Sequence, residues 1–126
     1  MQTSIDSSQF RQIMSRFVTG VTVVTSSSGQ DIHGLTCNAF CSITVKPCTV
    51  MVSVAKDTRS WPLIEKSQIF AVNILSQTQS EISDRFAGRH KDKENNRFEG
   101  ISWATDITGA PILKGTQGYL DCQLTQ

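Results

Sequence analysis

The chain has 126 residues, 38% of them hydrophobic, and 12 Lys and Arg stand against 11 Asp and Glu for a net charge of +1. That length holds one core and no second domain. The near-neutral balance excludes the basic excess of a general nucleic-acid binder, no apolar run approaches the roughly 18 residues of a spanning helix, and the N-terminus lacks the basic and apolar regions of a secretory signal.

Residues 7–17 place Phe10, Ile13, Met14 and Phe17 at i, i+3, i+4 and i+7, which predicts an amphipathic helix. Asp6 and Gln9 have capping-box spacing at its start. After Gly20 the run Val21, Thr22, Val23, Val24, Thr25 is rich in β-formers. Turn residues around Gly29 then predict a hairpin of 20–26 with 32–37. His33, just before Gly34, reads as an exposed turn histidine.

Two further strands, 39–45 and 48–54, are parted by Lys46-Pro47, since proline lacks a ladder donor. Asp57 or Thr58 is placed to cap a short helix through Ile64 and Lys66, with Pro62 in its first turn. Residues 68–75 form a strand with Phe70, Val72 and Ile74 on one face. Ser76 with Gln79 has capping-box spacing for the next helix, which carries Ile82 and Phe86 and ends at Gly88 as the left-handed C′ residue. Residues 88–99 are dense in charge and read as an exposed, solvated loop, with a partner-docking or nucleotide-facing loop as the alternative for 89–97. A short strand at 100–105, a turn over 106–115 and a last strand at 117–125, with Leu120, Cys122 and Leu124 alternating, complete the chain. Six or seven short strands with three helices predict a mainly β, antiparallel barrel or sandwich.

Several chemistries are missing. There is no G-x-G-x-x-G after a strand, no phosphate loop of the G-x-x-x-x-G-K-[ST] type and no H-E-x-x-H. Cys37 and Cys41 lack a second pair at zinc spacing, so no metal is expected. Cys37, Cys41, Cys48 and Cys122 read as reduced, buried packing thiols of a cytoplasmic protein.

The pieces HGLTCNAF at 33–40, SITVKPCTVMVSV at 42–54, DTRSWPLI at 57–64, FAVNIL at 70–75, RFAG at 85–88 and GAPIL at 109–113 together resemble the flavin reductase-like split barrels, from about residue 10 to residue 126. The resemblance implies an antiparallel Greek-key split β-barrel with short flanking helices. It implies an NAD(P)H-dependent flavin reductase that passes a hydride from NADH or NADPH to FMN or FAD. Reduced flavin would go to a partner monooxygenase, and the expected assembly is a homodimer. The alternatives are a non-catalytic flavin carrier and a truncated interaction domain. Family members continue with further strands, so 1–126 reads as one domain lacking the final ones. Such chemistry is carried by the two cofactors and needs no acid–base dyad, so no catalytic side chain is expected.

The implied flavin-binding residues fall in three clusters. Thr36, Cys37, Asn38 and Ala39 match the small-polar bend that meets the flavin edge and ribityl chain; the amide of Asn38 both donates and accepts. Ser53, Val54, Ala55, Lys56, Thr58, Arg59 and Ser60 match the segment that wraps the flavin phosphate, where a helix start with hydroxyls and a cation suits an anion. Phe86 and Ala87 match the end of the helix beside the rings, though Phe86 reads equally as a core anchor at helical spacing from Ile82.

Overall fold

A computed structural model of the chain describes residues 6–14 and 20–125. Its frame is a four-stranded antiparallel sheet of order β2-β1-β5-β8, made of β1 (Thr22–Ser28), β2 (Asp31–Cys37), β5 (Ile69–Ile74) and β8 (Gly118–Gln123). The β-branched run after Gly20 enters β1, which pairs with β2 from Thr22 opposite Cys37 to Ser28 opposite Asp31. The turn is therefore only Gly29-Gln30, and Gly29 takes the positive φ of 62° that a tight reversal requires. Both strands run further toward the turn than expected, and His33 lies within β2, opposite Ser26.

The central strands β1 and β5 are covered on both faces. On one side Val24, Cys37, Ile64, Phe70 and Val72 form a cluster beneath α2 (Ser60–Ser67). On the other, Val23, Leu75, Phe86, Phe98 and Leu113 pack beneath α3 (Ser80–Phe86). The expected one-sided pattern of the fifth strand is corrected: Phe70, Ala71, Val72 and Asn73 are all buried. Asn73 has its polar atoms satisfied. Its amide nitrogen donates to Val23 O at 3.0 Å and Thr25 Oγ1 at 3.2 Å, and its Oδ1 accepts from Leu113 N at 2.9 Å. Thr25 in turn donates to Pro111 O at 2.6 Å. These bonds hold β7 (Ile112–Leu113) and its partner β6 (Trp103–Ala104) against the sheet. β7 lies inside the segment read as a turn; two residues among Gly and Pro carry no detectable period.

β3 (Phe40–Val45) and β4 (Cys48–Val52) form a separate hairpin with a bulge between Ser42 and Thr44. Its outer face is open, so Cys41 and Cys48 are exposed, while Cys37 is buried and Cys122 half-buried; all four are free thiols. The expectation of buried packing thiols thus fails for two of the four. α1 (Ser7–Met14) carries the predicted cap, Gln9 N donating to Asp6 Oδ1 at 2.8 Å. Its Phe10 and Ile13 are solvent-exposed, and the expected continuation to residue 17 lies outside the described residues. The Ser76–Gln79 box closes on one arm, Ser76 N donating to Gln79 Oε1 at 2.8 Å, but α3 starts at Ser80 with Gln79 as its N-cap, three residues later than that box implies. Gly88 ends α3 at φ 78° as predicted. Among the described residues no helix is long and apolar enough to cross a membrane.

Asp121 on β8 holds the 106–109 turn in place. Its carboxylate accepts from Ile107 N at 2.8 Å, from Thr108 N at 3.0 Å and from the Thr108 hydroxyl. Partial burial pushes the carboxyl pKa up, but these three bonds outweigh it and hold the pKa below the ordinary value. A depressed folded pKa gives stability that is present above the unfolded carboxyl range and lost as pH falls through the folded value. Asp121→Ala should therefore cost about 1–2 kcal/mol at pH 7, scaled down for partial exposure. Urea unfolding of both proteins at pH 7 and pH 3 checks this: the gap should narrow at the lower pH, and an equal gap at both would remove the charged form as the cause.

Candidate functional site

The pairing of the hairpin β3–β4 continues one rung beyond Phe40 and Val52, and the first two sequence clusters meet there. Ser53 N donates to Ala39 O at 3.0 Å, so the bend after β2 and the segment after β4 run side by side. Beneath them Cys37 is buried, with its thiol 3.6 Å from Ala39 O and 3.5 Å from Ser53 O. Cys37 is thus the floor of the bend. Asn38, Ala39, Ser53, Ala55 and Lys56 are exposed around it, and Val54 is half-buried.

The turn into α2 is built by Thr58, whose amide and hydroxyl both donate to Ala55 O, at 3.2 Å and 2.7 Å. The expected cap by Asp57 or Thr58 is corrected here. The hydroxyl of Thr58 is spent on the turn, and Arg59 occupies the N-cap position without a side-chain cap bond. Arg59 itself is exposed, and its Nη1 donates to Glu94 O at 2.9 Å.

Ser60 stands differently from its expected role. It is fully buried and its Oγ lies 2.6 Å from Nδ1 of His33. The hydroxyl therefore lies below the surface and is not presented to solvent. His33 is 7% exposed, which corrects its reading as an exposed turn residue. Burial first, then the nearby Arg97 and Arg59 guanidinium groups, lower its pKa to about 4 against an opposing pull from Glu94. The ring is therefore neutral near pH 7, and its Nε2 has no hydrogen-bond partner among the described residues.

The third cluster joins through Thr36, whose Oγ1 donates to Ser83 O of α3 at 2.6 Å. Phe86 is wholly buried and meets Phe98 edge-on, ring centroids 5.0 Å apart and planes at 79°. Of its two sequence readings, the structure shows the core anchor. Ala87 beside it is exposed. All three clusters thus share the β2/α2/α3 junction, with Asn38, Ala39, Ser53, Ala55, Lys56 and Arg59 at the surface and Cys37, Ser60 and Phe86 supporting from below.

Residues that sequence reasoning did not select close this junction. Arg97, from the segment read as a solvated loop, donates from Nη1 to Gly34 O and to Phe86 O, both at 2.9 Å. It also pairs with Glu94, from Nε at 3.0 Å and Nη2 at 2.5 Å. Gly34 has no room for a side chain, since a Cβ there would lie 2.8 Å from the Phe86 ring. The detectable hint was the spacing of Glu94 and Arg97, which fits an i, i+3 pair.

The donor set is backbone amides, one side-chain amide and two cations, Lys56 and Arg59. It can hold an anion beside a flat polar edge. Those donors fit a phosphate-bearing flavin. A separate apolar cleft of about 880 Å³ opens between the β3–β4 hairpin and β8, with Val50, Val52, Trp61, Ile64, Leu120 and Leu124 in its walls. Of the predicted residues only Val54 reaches it, and its lining has no cation.

A family model described as flavin reductase like domain matches residues 14–126. The chain is 36% identical over 122 residues to the flavin-dependent monooxygenase reductase subunit HsaB of Mycobacterium tuberculosis, covering 97% of this chain and 63% of that protein. The chain thus spans a little under two thirds of that relative's length. Among solved structures, a putative flavin reductase from Haemophilus somnus matches with a TM-score of 0.86 at 34% identity, covering 97% of this chain and 77% of that one. The NADH:FAD oxidoreductase SgcE6 of Streptomyces globisporus, in complex with NAD and FAD fragments, matches with a TM-score of 0.80 at 29% identity, covering 99% and 75%. Both structural likenesses agree with the expected mainly β, antiparallel split-barrel class.

Proposed function

The chain belongs to the flavin reductase-like domain family, and from that premise we propose that it binds FMN or FAD at the β2/α2/α3 junction and passes a hydride to it from NADH or NADPH. The observation that carries this is the meeting of residues 36–39 with residues 53–56 through the Ser53–Ala39 bond, beside the cations Lys56 and Arg59. When bound, the flavin and the nicotinamide supply the hydride chemistry between them. The chain's own residues have three tasks. Asn38 and the backbone of 54–55 hold the polar edge, Lys56 and Arg59 hold the phosphate, and the buried Cys37, Ser60 and Phe86 keep the bend rigid. The histidine at the junction, His33, is buried and neutral near pH 7.

A two-component monooxygenase is the proposed consumer of the reduced flavin, supported by the name of the HsaB relative. A homodimer is the proposed assembly. Its support is the exposed apolar surface of Phe10 and Ile13 on α1 and of Ile43, Val45 and Met51 on the hairpin, since a bare two-stranded hairpin is marginal in water. The proposed setting is cytoplasmic, in keeping with four free thiols.

The test is NADH oxidation by the purified chain with and without added FMN. Turnover that depends on the flavin is expected, and Asn38→Ala should weaken flavin binding by about 1–3 kcal/mol with little loss of stability. Binding without turnover would leave a flavin carrier in its place. An absence of both would remove the flavin reading altogether.

A further inference from the structure

Residues 89–99 sit against the junction through bonds that form a closed circuit. It starts on β2, where Gly34 O accepts from Arg97 Nη1 at 2.9 Å. Arg97 holds the Glu94 carboxylate with two nitrogens. The carbonyl of the same Glu94 accepts from Arg59 Nη1 at 2.9 Å. Arg59 adjoins Ser60, and Ser60 returns to β2 through His33 Nδ1 at 2.6 Å, one residue before Gly34. The circuit closes on two pairs of chain neighbours, 33–34 and 59–60.

Arg97 occupies a slot made for it. Its side chain is only 13% exposed. It takes up the carbonyl of Phe86 at the C-terminal end of α3 as well as that of Gly34. A Cβ on Gly88 would approach its Nη2 to 3.0 Å, and Gly88 also needs the positive φ that ends α3. A planar guanidinium with its donors spread over two carbonyls and a carboxylate has one orientation, and lysine could not reproduce it. By contrast Arg59 is exposed and held by one bond to a carbonyl. Without the loop its long side chain would be free to sample many rotamers, each adding to the entropy lost when it grips an anion.

We infer that Arg97 is a positioning residue for the flavin phosphate: through Glu94 it holds the guanidinium of Arg59 over the start of α2. This rests on the flavin reading above. Arg97 need not touch the flavin. It acts on one part of the ligand only, the phosphate, because Arg59 is the group it orients. The isoalloxazine side of the site, at 36–39, is built on β2 and the hairpin and stays in place when the loop is released.

The test compares FMN with riboflavin, which has the same ring and ribityl chain but no phosphate, by fluorescence titration of the intact chain. Arg97→Met should weaken FMN by about tenfold or more, the scale of a charge-assisted contact, and leave riboflavin within about twofold. Arg59→Met should show the same selective loss, and the double variant should be no worse than Arg59→Met alone. Should Arg97→Met fail to fold, Glu94→Ala releases the same circuit with Arg97 left in its slot, and the same selective loss is expected. Equal losses of FMN and riboflavin in the Arg97 or Glu94 variant, or losses that add in the double variant, would overturn the positioning role. A different outcome marks failure of the underlying reading: a wild-type chain that binds neither flavin, or an Arg59→Met chain that still prefers FMN as strongly as wild type. Either one removes the phosphate site, and the role of Arg97 with it.

Discussion

Phe86→Ala is expected to destabilise the fold by about 3–5 kcal/mol, the usual cost of deleting a buried aromatic ring and leaving a cavity. The ring is fully buried among Val23, Leu75, Phe98 and Leu113, and it meets Phe98 edge-on. It also lies directly under the bare Cα of Gly34, so the space cannot be filled by a small shift of a neighbouring side chain on β2. A domain of this size has about 5–15 kcal/mol in all, so the loss is a large fraction of the whole. Thermal or urea unfolding measures it. Phe86→Leu separates the two roles that the sequence left open. It keeps most of the volume, so the cost should fall to about 1–2 kcal/mol, and flavin affinity should stay as in wild type. A Phe86→Leu chain that unfolds normally but loses flavin tenfold would restore Phe86 to the cofactor.

The local features were legible because each rests on neighbours in sequence. A β-branched run followed by Gly29 gave the first hairpin, Lys46-Pro47 gave the break between β3 and β4, and Gly88 gave the end of α3. The bend at 36–39 and the segment at 53–60 could be named only through the family resemblance. Their contact, one backbone bond from Ser53 to Ala39, extends the β3–β4 pairing by one rung, and its exact register is set by the bulge between Ser42 and Thr44, which composition does not encode. Of the circuit through Arg97 only the Glu94–Arg97 spacing was legible. Its key bond joins residues 63 apart in sequence, and a run such as 89–97 has the same look whether its charges face water or carbonyls. Ser60 was misplaced for a related reason. A serine at a helix start offers the same hydroxyl to a ligand or to a buried partner, and only the burial of His33 decides which. The open apolar faces of α1 and the hairpin follow the same rule: periodicity finds an apolar stripe but not what covers it.

His33 is expected to make the stability of the fold depend on pH between about 6.5 and 4. The folded pKa is lowered from 6.5 to about 4, first by burial and then by Arg97 and Arg59, with Glu94 opposing. Ser60, on Nδ1, is its one hydrogen-bond partner among the described residues. The unfolded chain takes up a proton below about pH 6.5 and the folded chain only below about pH 4. Between those values the unfolded state binds more protons, so stability rises with pH. It is fully present above about 6.5 and falls as the pH drops toward 4. A shift of this size corresponds to about 3 kcal/mol across the window, at about 1.4 kcal/mol per pH unit. Urea midpoints measured at pH 7, 5.5 and 4.5 should therefore decline steadily, before the depressed carboxyl of Asp121 takes its turn at lower pH. His33→Gln removes the titration and leaves an amide near Ser60, so its midpoint should be nearly flat over the same range even if it starts lower. A wild-type midpoint that is flat between pH 7 and 4.5, or a His33→Gln chain with the same slope as wild type, would show that protonation of His33 is not what the fold resists. The expected slope also has a consequence at the junction. Charging the ring would place a cation beside Arg97 and Arg59 and against the Ser60 hydroxyl, so the start of α2 should loosen first, and flavin affinity should fall with pH ahead of global unfolding.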